Sequence, residues 1–298
     1  MENNVQSPFP YVRDFGQIIS ATIEFIRMHF SQLYKVLFIC IAPIAAVSGI
    51  FTSYAVTDYF EVIKTISENP DIPYLWNIFT MFILSYGLLI VASTLCMVFT
   101  IEYCIMIHKQ GREVFHLQSF IVHSLRQIPR YVLRTIGLGL LTTLASVLLV
   151  IPGIYLSVVI IITIPLLENE KSSFWDGVKR SMSLMQGNWW RTLGLILVVY
   201  IALAVIGGAF SIPLYFMTIL KTLFVIDSTL EEPSYITFLM IFFTMISIVA
   251  QVILNSIYHI VFVFKYFSLV EMKEGSSLFT AINQIGSSHD ASMPEETY

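Results

Sequence analysis

YITFLMIFFTMISIVAQVILNSIYHIVFVF, residues 235–264, contains no Asp, Glu, Lys or Arg. As a helix rising about 1.5 Å per residue it would measure about 45 Å, longer than the roughly 30 Å hydrocarbon core of a bilayer. The stretch therefore reads as a membrane span, taken as 235–267. Outward from it, five more apolar blocks follow the same logic, at 32–55, 77–101, 133–151, 153–167 and 190–220. The composition agrees. Charged residues make up 12% of the chain, against about 25% in soluble domains, whose surface must face water. The expected fold is an all-α, polytopic integral membrane helical bundle of about six transmembrane helices, one membrane domain over residues 1–298.

Helix breakers mark where that bundle should bend. Ile151-Pro152-Gly153 predicts a tight turn that makes the third and fourth spans a hairpin. The fourth span is marginal in length, being cut short by Pro165 and Glu168. In the fifth, Gly207-Gly208 and Pro213 predict a kink or a break into two half-helices.

Charge sets the expected orientation. One set of connections holds Arg13, Arg27, Lys35, Lys109, Arg112, Arg126, Arg130, Arg134, Lys171, Lys179, Arg180, Arg191, Lys265 and Lys273. The other holds only Lys64 and Lys221, among Asp58, Glu61, Glu68, Asp71, Asp227, Glu231 and Glu232. The basic set is expected in the cytoplasm, which with an even number of spans puts both termini there. Trp76, Trp189 and Trp190 fall at span ends, where indoles favour the interface. Met1–Gly16 lacks the pattern of a signal peptide, so the first span is expected to be retained. Cys40, Cys96 and Cys104 lie in apolar blocks without metal spacing and read as small buried hydrophobes.

The basic connections show helical periodicity. Phe15, Ile19, Ile23, Ile26 and Phe30 form one apolar stripe; Leu117, Ile121, Leu125 and Ile128 a second; Phe174, Val178, Met182 and Met185 a third. Each predicts an amphipathic helix lying at the membrane interface. Two string matches suggest internal repetition. Arg134-Thr-Ile-Gly-Leu138 matches Arg191-Thr-Leu-Gly-Leu195, and Glu170-Lys-Ser-Ser-Phe174 matches Glu274-Gly-Ser-Ser-Leu278. The expected plan is a threefold unit of interfacial helix plus hairpin. A polar tail (1–11) is followed by units at 12–107, 112–168 and 170–272, then a terminal interfacial helix and tail at 273–298. Ser172 or Ser173 is expected to cap the third interfacial helix, and Gly187-Asn188 to stop it.

The most distinctive string runs from Pro152-Gly153-Ile154-Tyr155 through Pro165, Glu168 and Glu170. It continues over Arg180-Ser-Met-Ser-Leu184 to Gly187-Asn-Trp-Trp-Arg191. It resembles the membrane domain associated with some bacterial glycerophosphoryl diester phosphodiesterases, which also occurs alone in multipass proteins. The resemblance covers about residues 150–200 and is diffuse elsewhere. It implies a bacterial inner-membrane protein of the same helical layout. It implies no catalysis, because the chemistry of that family sits in a separate soluble barrel for which this chain has no room.

No catalytic, cofactor-binding or metal-ligating set is expected. HExxH, GxSxG, a Walker loop and zinc-spaced Cys/His pairs are all missing from the sequence. Nucleic acid is not an expected partner, since an anionic lipid surface explains the basic helices better. The suggestive feature is polar residues inside spans. Thr244, Ser247, Gln251, Asn255 and His259 recur at steps of three and four on the sixth span. Depth counting puts Glu102 of the second span level with His259. Glu102, Gln251, Asn255 and His259 are thus the candidate intramembrane polar site, with Glu102 and His259 read as a proton- or ion-handling pair. The alternative for the stripe is interhelical hydrogen bonding that holds the bundle together, and for Glu102 a carboxylate that simply reaches interfacial water. The expected role is a non-enzymatic scaffold or accessory protein binding membrane lipids or other envelope proteins. The alternative is a permease for a small or lipidic substrate, with its site between spans two, five and six.

Overall fold

The computed structural model describes residues 8–9, 11–65, 72–110, 117–226 and 234–275. It is all-α, with no strand among the described residues. The helices are α1 (Phe15–Cys40), α2 (Ala42–Thr65), α3 (Ile72–Gln110), α4 (Leu117–Leu148), α5 (Val150–Glu170), α6 (Phe174–Met185), α7 (Trp189–Ile226) and α8 (Ser234–Glu274). Five of them (α3, α4, α5, α7 and α8) are long and apolar enough to cross a membrane, and α1 with α2 make a bent sixth. The chain is a multipass membrane protein.

The first span, expected to run continuously over 32–55, is divided at Ile41, with a 47° bend between α1 and α2. Pro43 is the cause, because its ring excludes the carbonyl four residues back and it has no N–H to donate. α1 begins on a capping box, in which Asp14 Oδ1 accepts the Gln17 N–H at 2.9 Å and Gln17 Oε1 accepts the Asp14 N–H at 3.0 Å. Its buried face is Ile18, Thr22, Phe25, His29 and Leu33. The stripe expected to face the acyl boundary is offset from this, and Phe15, Ile23 and Phe30 stay exposed.

α8 is the axis of the fold. It packs on α1, α2, α3, α5, α6 and α7, and Ile260 to Leu269 are buried on every side. At Gly49 of α2 an added Cβ would sit 2.7 Å from Met245 Cα, so glycine permits a backbone-to-backbone approach to α8. Phe9 plugs the basic end of this core, its ring 4.7 Å from Phe264 and 5.2 Å from Phe267 between centroids.

The α4–α5 hairpin departs from expectation in two ways. Its break is the single extended residue Leu149 (φ −152°, ψ 125°), not Ile151-Pro152-Gly153. Pro152 instead falls in the first turn of α5, where a missing N–H costs nothing. Gly153 then meets α4 directly, since a Cβ there would lie 2.6 Å from Ser146 Cα. Second, the hairpin lies across the bundle. Tyr155 of α5 accepts the indole N–H of Trp189, the first residue of α7, at 3.3 Å. Some fourteen residues on, or about 21 Å along the helix, Asn169 and Glu170 meet the Tyr266 hydroxyl at 3.2 and 3.1 Å. Asn188, beside Trp189, lies 3.9 Å from Met272 Sδ. Two points about 21 Å apart along α5 thus both meet residues at the basic end of the bundle, Trp189 at the start of α7 and Tyr266 near the end of α8. The hairpin tip is apolar and bare, from Val147 (78% exposed) to Ile151 (81%).

Other expectations resolve simply. The first two basic helices run on without a break into the apolar segments beyond them, α1 up to its bend and α4 through Pro129; the third stands alone as α6. Ser173 is the α6 N-cap residue, but its side chain makes no capping hydrogen bond. Gly187 (φ 80°) makes the turn into α7. α7 runs helical through Pro213, so the expected break into half-helices is not formed. Here α8 packs along α7 and supports it. Residues 276–298, including the expected terminal helix, lie outside the described residues.

Candidate functional site

The polar stripe of α8 divides in two. Thr244 and Ser247 are buried, 3% and 1% exposed. Thr244 returns its hydroxyl to the Met240 carbonyl at 2.6 Å, while Ser247 lies 2.6 Å from Ser211 Oγ of α7. Ser247 thus joins α8 to α7, whereas Thr244 bonds only within its own helix. Gln251, Asn255 and His259, farther along, open onto a groove of about 680 Å³ between α3, α7 and α8. Gln251 Nε2 links the two parts, donating to Ser211 Oγ at 3.2 Å and Ser247 Oγ at 3.1 Å.

α7 contributes small residues, Gly207 and Gly208, where bulk would fill the space, and Tyr200 and Tyr215 at its flanks. Ser93 and Thr94 of α3 face them, and Thr135 of the crossing α4 closes the basic end. Gln251 and Asn255 are exposed in the groove, and His259 is half-buried. The space is flanked by hydroxyl, amide and imidazole groups but also by Leu203 and Leu254, and carries no acid or base of fixed charge. That lining suits an amphiphile with uncharged polar groups better than an ion.

Glu102 is not part of this groove. Its carboxylate accepts the Tyr131 hydroxyl proton at 3.1 Å and lies 3.7 Å from His123 Nε2, both on α4. The expected pairing with His259 fails on azimuth, not depth. At about 100° per residue, Glu102 points about 140° away from Met97, which does line the groove.

Glu102 belongs instead to a charged cluster between α3, α4 and α5. Glu168, with 3% of its side chain exposed, pairs with Arg134 and lies 3.9 Å from Arg130 Nη1. Tyr131, fully buried, sits between the two carboxylates. In the sequence, Glu168 marks only the end of a span. The available signal was on α4, where His123, Arg130, Tyr131 and Arg134 recur on one helical face opposite the acidic end of the next helix. Among the described residues no group of three or more His, Cys, Asp or Glu is placed to hold a metal ion.

No family model, curated protein or solved structure matches this chain.

Proposed function

We propose that this chain is a non-enzymatic lipid-binding scaffold or accessory protein of the bacterial cytoplasmic membrane, with both termini inside. Its ligand is a lipid-like amphiphile held in the groove between α3, α7 and α8. The excess of Lys and Arg at one end supports the orientation. The resemblance of residues 150–200 to a phosphodiesterase-associated membrane domain supports the bacterial membrane and the lack of chemistry. The observation that carries the reading is the groove itself, where Gln251, Asn255 and His259 face Leu203 and Leu254 across about 680 Å³. A lipid-like molecule with hydroxyl or amide groups would satisfy the polar atoms and cover the apolar ones.

The test is lipid retention. Wild type and the Gln251→Leu/Asn255→Leu double variant are purified in mild detergent, and their bound lipids are extracted and identified by mass spectrometry. The wild type should carry a specific amphiphile that the monodisperse double variant loses. Equal lipid in both would refute the reading.

A permease is the second reading, favoured by one observation. Gly207, Gly208 and Ser211 line the groove just before Pro213, whose missing N–H leaves the Ala209 carbonyl without its helical partner. α7 therefore has a point of flexure beside the groove. Passage of the retained lipid across vesicles containing the protein would select this reading over static binding.

A further inference from the structure

Lys265, Arg191 and Arg13 meet around a second cavity, of about 530 Å³, at the basic end of the bundle. Lys265 stands in the enclosed stretch of α8 and is only 7% exposed. Its charged neighbour is Arg191, a like charge. Among the described residues neither cation forms an ion pair with a carboxylate. A buried ammonium facing a guanidinium is unfavourable unless an anion completes the site.

One carboxylate lines the cavity: Asp14 caps α1 through Oδ1, accepting the Gln17 backbone N–H, and forms no ion pair with Lys265 or Arg191 among the described residues. Arg13 is committed as well, donating to the Phe9 carbonyl at 2.9 Å and to that of Pro8. Its guanidinium also stacks over Tyr11 and Phe264 at 5.3 and 5.2 Å, so Arg13 contributes positive field more than free donors. Ile18, Leu195 and Leu269 make the walls apolar. The cavity therefore presents two unpaired cations at the edge of a hydrocarbon-like space.

We propose that this cavity binds a phosphate-bearing anion between the Lys265 ammonium and the Arg191 guanidinium. The phosphate can come from the headgroup of an anionic phospholipid or from a soluble ester. Apolar walls and the neighbouring Trp189 and Trp190 favour the headgroup.

The test uses the delipidated full-length protein in neutral detergent. Its melting temperature is followed during titration with phosphatidylglycerol, phosphatidylcholine or inorganic phosphate. Phosphatidylglycerol should raise it saturably and phosphatidylcholine far less. Saturation by inorganic phosphate alone would assign the site to a soluble anion, a result that still supports it. Arg191→Gln, at an exposed position, should weaken half-saturation about tenfold, the loss of one charge-assisted contact. Lys265→Met should abolish the response and raise the melting temperature of the lipid-free protein, because it removes an unbalanced buried charge. Arg126→Gln, an exposed cation elsewhere, should respond as wild type. A wild-type protein indifferent to all three additions, or an Arg191→Gln variant that titrates normally, would overturn the site. The Arg191→Gln result stands even if Lys265→Met does not fold.

Discussion

Glu170 and Glu274 end α5 and α8 in the same way and meet on one arginine. Each is the last residue of its helix, and each is followed by a left-handed residue, Lys171 (φ 51°) and Gly275 (φ 58°). Arg180 of α6 spans them, its Nε 2.6 Å from Glu170 Oε2 and its Nη2 donating to Glu274 Oε1 at 2.6 Å. The Glu170 carboxylate, and then that of Glu274, hold this guanidinium above its usual pKa. The matched strings after the two helices thus correspond to matched helix ends.

Arg180→Gln should destabilise the detergent-solubilised protein modestly, by about 1 kcal/mol or less, read as a lowered melting temperature, because all three side chains are partly exposed. The difference from wild type should shrink at high salt. Arg180→Lys should not restore it, since one ammonium cannot present the two-pronged geometry that joins both carboxylates. Full rescue by lysine would show that charge alone matters here.

Glu168 and Arg134 should behave as a buried pair. Glu168→Met leaves Arg134 without its partner, an error that typically costs about 3 kcal/mol or more. Adding Arg134→Met should recover most of the loss, because two apolar side chains avoid the desolvation of two charges. Denaturation of both single variants and the double variant closes the cycle. Additive losses would mean that the two residues act independently.

Leu149 and Asp58 should differ in accessibility. In a chain whose three native cysteines are replaced, a cysteine at Asp58 should react with an impermeant maleimide applied from outside the cell. Asp58 lies at the end of the bundle away from the basic cluster and accepts a hydrogen bond from Asn77 at 2.9 Å. A cysteine at Leu149 should resist the same reagent, because the α4–α5 hairpin crosses the basic end with an apolar tip suited to lipid. Equal labelling of both positions would mean that the hairpin traverses the membrane.

Much of the candidate site was legible along the chain. Gln251, Asn255 and His259 recur at helical spacing, so their common face follows from 3.6 residues per turn. The split of the stripe was not legible. Thr244 and Ser247 are polar residues like Asn255, and only the packing of the neighbouring helices decides which are buried and which line a groove. Glu102 shows the complementary failure. Its depth could be counted, but depth says nothing about direction around the helix, and its partners come from α4.

By itself the sequence determined that this chain is a set of long apolar helices in a membrane, which of their residues are polar, and which ends are basic. Those properties follow from transfer free energies and helical periodicity, which are summed or counted along one chain. Only the tertiary structure decided the rest. The bend at Ile41 and the unbroken α7 depend on what supports each proline's neighbours. The crossing of α4–α5, the union of Glu102 with Tyr131 and the meeting of Lys265 with Arg191 depend on the relative axes of helices. Hydropathy is indifferent to those axes, because an apolar helix is equally at home along the bilayer normal or across it. Side-chain packing and hydrogen bonding between helices make the choice.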